Sequence, residues 1–264
     1  DESRARLLGI ADFFLQHDRP IARAVDDSVV RETAGGHPIL LRRARGYAPS
    51  PLTLPAALPQ PVLCVGGHLK NTVAVAAGDQ VVVSPHLGDL GNAASQALFE
   101  RTIATLSDLH GARPALVVHD RHPDYASTAF ARRSGLPTLA VQHHLAHVLA
   151  VLLEHRLPAD DVLGIAWDGT GYGDDGTIWG GEFILLQGGR ASRFARLRPF
   201  RLPGGEAAVK DARRVALGLA HEVDLFAEVS TRLGFKPSDA ATLRQMLAQG
   251  LNSPLCSSGG RLFD

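Results

Sequence analysis

The chain has 264 residues, with 27 Lys+Arg against 27 Asp+Glu, so its formal net charge is zero. That length allows one or two domains at about 100–200 residues each. The charge balance argues against a protein held mainly by nucleic-acid phosphates, which needs a basic surplus. Hydrophobic residues at 45% and charged residues at 20% exclude the apolar-poor, charge-rich composition of disorder.

Two cysteines, Cys64 and Cys256, are too few for a disulfide framework and fit a reducing cytoplasm. No run of about 18 apolar residues occurs, and no basic start leads into an apolar stretch. Neither a membrane span nor a signal peptide is therefore expected. The chain begins without Met and stops at Arg261-Leu262-Phe263-Asp264, which points to a piece of something longer.

In chain order, residues 7–17 (LLGIADFFLQH) place apolar side chains at Leu7, Leu8, Ile10, Phe13 and Phe14, a spacing that predicts an amphipathic helix. Proline-rich composition from Pro49 to Pro61 then reads as a semi-rigid connector. Residues 1–54 are too short for an independent core and read as the end of a preceding domain plus that connector. Residues 55–264 form the main domain. In it, 61–67, 72–78 and 80–85 are short apolar runs split by Gly-containing turns, hence strands. A helix over 91–108, a strand over 115–120, a helix over 125–135, a strand over 137–142 and a helix over 143–156 follow. This first unit, about residues 61–157, reads βββαβαβα. The pattern then restarts. Residues 163–173 read as a strand and Gly-rich turn, 179–189 and 191–200 as strands, and 206–223, 225–233 and 238–249 as helices. A second unit, about residues 162–264, thus begins βββα, and no βαβα completes it. Two such units facing a cleft describe an α/β actin-like ATPase fold with ribonuclease-H-like units, the second incomplete.

Three segments could carry chemistry. In VQHHLAH (141–147), His143 and His147 stand at i and i+4 on one helix face, with Cβ atoms about 5–6 Å apart. Two imidazoles so placed can share a divalent metal, which also wants a carboxylate and an open position. The alternative is a helix whose histidines are satisfied by caps or water. His144 lies about 100° around the helix and is expected off that face. In DGTGYGDDGT (168–177), Asp168 followed by Gly169, Thr170 and Gly171 could bring backbone N–H groups to a phosphate and supply the third metal ligand. An ordinary hairpin turn explains it equally. In GGHLKNT (66–72), Gly66, Gly67 and Asn71 occupy the corresponding hairpin of the first unit, and Lys70 offers a point charge or is a solvated turn lysine. Weaker signals are HDRHPD (119–124), which could line the cleft or cap a helix, and Gly204-Gly205 before a helix that could hold an anion or form a plain turn.

GGHLKNT, SPHLGDLGN (84–92), HDRHPDYAST (119–128), VQHHLAH, DGTGYGDDGTIWGGEF (168–183), RPFRLPGGEAAVKDARRVAL (198–217) and SSGGRLFD (257–264) occur in the order found in the HypF family of [NiFe]-hydrogenase maturation, which the chain resembles. DRPIARAVDDSVVR (18–31) and LRRARGYAP resemble the end of that family's YrdC-like domain. His68, Leu145, Gly91 and Gly259 depart from the pattern, where a carboxylate, His, Glu and Met are expected. The resemblance implies a carbamoyltransferase. Carbamoyl phosphate and ATP, with Mg, give carbamoyl adenylate, and the carbamoyl group passes to the C-terminal Cys thiol of HypE. Carried over, His143, His147 and Asp168 hold iron or zinc. Asp168 and Lys70 serve catalysis. Gly66, Gly67, Lys70, Asn71, Gly169, Thr170, Gly171, Gly204 and Gly205 surround the adenylate, and Ser28 matches the YrdC-like nucleotide site. No nucleic acid or membrane is implied. The alternatives are an O-carbamoyltransferase acting on a small-molecule hydroxyl, the tRNA threonylcarbamoyladenosine enzyme, and a non-catalytic remnant or scaffold.

Overall fold

The computed structural model describes residues 2–19 and 25–264. Part of the 18–31 segment matched to the YrdC-like domain, residues 20–24, lies outside them. Helix α1 (Glu2–Leu7) is short, and the helix expected over 7–17 does not form. Gly9 takes φ +83°, and Leu8, Ile10 and Phe13 stay exposed. Most helical stability in proteins comes from burying an apolar face, and these three residues leave theirs open to solvent. Strands β1 (Val29–Glu32) and β2 (Pro38–Arg42) form a separate antiparallel hairpin. The proline-rich connector is not wholly unpaired. Its strand β3 (Leu52–Thr53) joins a sheet edge with Leu52 opposite Val81.

The first sheet is completed by β4 (Val62–Cys64), β5 (Ala74–Ala77) and β6 (Gln80–Val83), then, after α2 (Ala93–Leu109), by β7 (Leu116–Asp120), α3 (Ala126–Arg133) and β8 (Thr138–Val141). Its order is β3-β6-β5-β4-β7-β8, with β4, β7 and β8 parallel. Asn92 caps α2 by accepting from the Ser95 N–H. Leu63, Val65, Val75, Val117, Phe99 and Ile103 form the core between this sheet and α2.

Helix α4 (His143–Glu154) leaves the first sheet but packs on the second. Its buried face, Val148 and Leu152, meets Ala166 of β9 (Val162–Tyr172) and Ile184 and Leu186 of β10 (Ile178–Gln187). The approach is close because residue 164 is glycine. A Cβ there would overlap the Val148 methyl groups. The expected 191–200 strand divides into β11 (Arg190–Arg196) and β12 (Phe200–Arg201), which pair with different strands. The expected 206–223 helix also divides, into α5 (Glu206–Lys210) and α6 (Ala212–Glu222). Asp211 between them is extended, and its carboxylate caps α6 by accepting from Arg213 N–H. Helices α7 (Phe226–Arg232) and α8 (Pro237–Gln249), strand β13 (Leu255–Cys256) and helix α9 (Gly259–Phe263) complete the chain. Strand β13 lies between β10 and β12. Among the described residues, no helix is long and apolar enough to cross a membrane.

Candidate metal centre

The glycines expected to form a turn after Asp168 lie instead within β9, where the ladder to β10 is interrupted. Gly171 pairs with Trp179 and Trp167 with Gly181, leaving Asp168, Gly169 and Thr170 opposite Gly180 alone. Such a bulge re-aims a side chain. Here Asp168 points towards the start of α4. Two glycines make the fit possible. A Cβ on Gly180 would overlap the Asp168 carbonyl, and one on Gly171 would overlap the His144 ring. Ser258, the cap of α9, braces the bulge from behind. Its hydroxyl lies 2.6 Å from the carbonyl oxygens of both Asp168 and Gly169.

Gln142 caps α4. Its side-chain oxygen accepts from the backbone N–H of His144 and Leu145 at 2.7 and 3.0 Å, satisfying two donors that a helix start leaves open. Its amide nitrogen donates to the Tyr172 carbonyl at 3.1 Å, tying α4 to the end of β9. One turn of helix then brings His143 Nε2 within 3.2 Å of His147 Nε2. Asp168 Oδ2 lies 3.3 Å from His143 Nε2 without the alignment of a hydrogen bond. One ligand atom from each of His143, His147 and Asp168 can be chosen so that all lie within 4.8 Å of one another.

A fourth residue completes the arrangement. Asp120, at the end of β7, accepts from His143 Nδ1 at 2.6 Å through Oδ2 and from the His122 N–H at 2.8 Å through Oδ1. The Asp120 hydrogen bond, followed by Asp168, holds the His143 imidazolium up to about 9 despite burial. Burial pushes the two carboxyl groups upward. The His143 contacts and backbone N–H groups together outweigh it, leaving Asp120 below its usual range and Asp168 at about 2. Burial and the neighbouring His143 charge push His144 down to about 4 and also lower His147. Beside the cluster, the rings of His122 and Tyr125 stack at 4.0 Å, and Tyr125 also faces His68.

The donor set fits a divalent cation. Asp168 Oδ2 is buried with no hydrogen-bond partner. His143 carries the carboxylate-on-Nδ1 arrangement common to metal-bound imidazoles, which leaves Nε2 for the ion once its proton departs. Two nitrogens and one oxygen suit zinc or ferrous iron with positions left open.

The other expected residues divide. A Cβ on Gly67 would lie 4.0 Å from His143 Cε1, so the first-unit hairpin reaches the cluster, and Gly169 packs against Gly260 of α9. Thr170 and Lys70 are exposed, and Lys70 forms no ion pair among the described residues. Asn71 is buried, and its amide donates to the carbonyls of Val65 and Gly67, so it holds the turn. Gly204 and Gly205 sit at positive φ among Arg214, Ala207, Asn252 and Pro254, none of them from the cluster. The Ser28 hydroxyl donates to Arg45 O and accepts from Ala44 N–H, joining the ends of the β1–β2 segment. His144 lies off the face of His143 and His147, as its angle around the helix implies, and is not one of the three clustered groups. It is fully buried under the site, with Nε2 3.7 Å from Asp168 Oδ2. Asp120 was legible only as one residue of a strand-end segment.

Residues 57–154 match the family model described as the HypF Kae1-like domain. Residues 164–264 match the model described as the carbamoyltransferase Kae1-like domain, second subdomain. A carbamoyltransferase HypF from Synechocystis sp. is 48% identical over the whole chain, which spans 36% of that relative's length. A probable carbamoyltransferase HypF from Methanocaldococcus jannaschii is 32% identical, again over the whole chain and 35% of its own length. The crystal structure of full-length HypF in a phosphate- and nucleotide-bound form superposes with a TM-score of 0.93 at 37% identity, over 99% of this chain and 41% of that one. The T. kodakarensis HypF structure gives 0.86 at 32% identity, over 99% and 36%.

Proposed function

The chain belongs to the HypF family, and from that premise we propose that it is part of an ATP-dependent carbamoyltransferase acting on the C-terminal Cys thiol of HypE. Carbamoyl phosphate and ATP, with Mg, supply carbamoyl adenylate. The thiol sulfur attacks the carbamoyl carbon, the bond to the adenylate oxygen breaks, AMP departs and the thiol proton is released. The product serves the cyanide ligands of [NiFe]-hydrogenase. Residues 1–54 are the tail of a YrdC-like domain, residues 55–264 the actin-like transfer domain, and the setting is the cytoplasm.

The observation that carries the reading is the convergence of His143 and His147 of α4 with Asp168 of β9, with Asp120 at the end of β7 orienting His143. A bound divalent cation supplies Lewis-acid polarisation of the carbamoyl or phosphate oxygen. The chain's own groups prepare for it. Asp120 keeps the proton on His143 Nδ1, and the bulge at Asp168 aims one carboxylate oxygen inward. Gly66, Gly67, Gly169, Thr170 and Gly171 let backbone approach the adenylate, Asn71 holds the first hairpin in shape, and Lys70 lends charge to the phosphate. Gly204, Gly205 and Ser28 rest on the family likeness, since their contacts lie away from the cluster.

Carbamoyl transfer from carbamoyl phosphate and ATP onto a HypE C-terminal peptide tests the proposal, run with this chain and with the full-length protein that contains it. Modification of a small-molecule hydroxyl, and never the thiol, by the full-length protein would overturn it.

A further inference from the structure

His144 is the one histidine of the α4 cluster that neither the metal set nor a surface role accounts for. Its proton can be placed from its neighbours. Gln142 Oε1 accepts from two backbone N–H groups, so the other end of that amide is nitrogen. That nitrogen donates to the Tyr172 carbonyl and faces His144 Nδ1 at 3.1 Å. A proton on Nδ1 would set donor against donor, so Nδ1 is the acceptor and the neutral ring carries its proton on Nε2.

The His144 side chain is completely buried, and its Nε2 has no hydrogen-bond partner. The carboxylate oxygen it faces, at 3.7 Å, is Asp168 Oδ2, which is also buried without a hydrogen-bond partner, with His143 Nε2 3.3 Å away. A buried donor and a buried acceptor left without hydrogen bonds are both costly, so the pair favours meeting. The other oxygen of Asp168 is already used, accepting from the Gly169 N–H at 2.6 Å. Closing the gap to hydrogen-bond range takes less than about 1 Å. Gly171 makes this geometry possible, since any side chain there would occupy the place of the His144 ring.

We propose that His144 is a positioning residue for Asp168: its Nε2–H donates to Oδ2 and leaves the remaining lone pair of that oxygen directed at the nitrogens of His143 and His147. Gln142 sets the tautomer that makes His144 a donor. Metal-binding carboxylates are held by such partners, whose loss costs about 10–100-fold in affinity. This inference rests on the metal reading above.

The test titrates Co2+ into the unaltered full chain, His144→Leu and His144→Gln, and records the His144 tautomer by 15N NMR. The expected results are an Nε2–H ring, affinity about 10–100-fold weaker in His144→Leu, and recovery of most of that loss in His144→Gln, whose amide can donate from the same place. A merely structural role would lower the unfolding midpoint without dividing the two variants in affinity, and that pattern overturns the proposal. So does an Nδ1–H ring, which remains measurable even if His144→Leu fails to fold. Equal Co2+ affinity in the unaltered chain and His144→Leu overturns this inference alone. No Co2+ binding by the unaltered chain ends the metal reading and this inference with it.

Discussion

Raising the pH should destabilise the metal-free chain through a single ring. His143 is held at about 9, against an ordinary 6.5, first by the Asp120 hydrogen bond and then by Asp168. A group whose pKa is raised by folding contributes fully below its unfolded value and loses that contribution as pH climbs through its folded value. The window is therefore pH 6.5 to about 9, and at about 1.4 kcal/mol per pH unit its width is worth about 3.5 kcal/mol. The ring is only 22% exposed, so solvent screening removes little of it. His144 and His147 do not compete in this window, because their lowered values place their effects below pH 6.5. The two thiols, pushed up to about 11 by burial, act above it. Urea unfolding of the chelator-treated chain across the window should show a falling midpoint, and Asp120→Asn should flatten the fall. A level midpoint in the unaltered chain, or an equally steep fall in Asp120→Asn, refutes the assignment.

With a cation bound, the His143 Nε2 proton must leave, so Co2+ affinity should rise about tenfold per pH unit until about pH 9; affinity independent of pH would mean that Nε2 is not a ligand. Gly171→Ala should cost about 1–3 kcal/mol by overpacking and lower Tm by several degrees. Gly91→Ala, with nothing within 4 Å of a new Cβ, should leave Tm unchanged, and equal shifts would remove the steric explanation. Arg193→Leu should cost about 3–5 kcal/mol in chemical denaturation, because the fully buried Glu182 loses the guanidinium bonded at 2.6 Å and keeps only the Ser257 hydroxyl and the Gly180 N–H. Pairing it with Glu182→Met should recover much of the loss; no recovery would place the cost elsewhere.

Much of the fold is written in local periodicity. The strands at Val62–Cys64, Ala74–Ala77 and Gln80–Val83, and the helix from His143, stand where apolar runs and Gly-containing turns put them. The 7–17 segment shows the limit. It has helical spacing, but only a tertiary partner turns spacing into a helix, and Leu8, Ile10 and Phe13 stay exposed. The His143–His147 pair of the candidate metal set is legible for similar reasons, since i, i+4 geometry is local. Asp120 and His144 are not. Asp120 meets His143 across 23 positions. The angle of His144 around its helix was read correctly, but that angle carries no information about what β9 places opposite it. The bulge at Asp168 is likewise hidden in the sequence, because Gly-rich sequence reads as a turn whether or not the strand continues through it.

Helix α4 hangs from the first sheet yet is packed into the second, with Val148 and Leu152 among Ala166, Ile184 and Leu186. His143, His147 and Asp168 therefore belong with the second sheet, while Asp120 ends a strand of the first. If the two sheets shift against each other, the 2.6 Å Asp120–His143 hydrogen bond stretches before the three ligands separate. Such a movement would act on the basicity of a ligand rather than on the shape of the coordination cage. For any cation held there, the joint between the sheets would then act as a tuning control, set by one carboxylate.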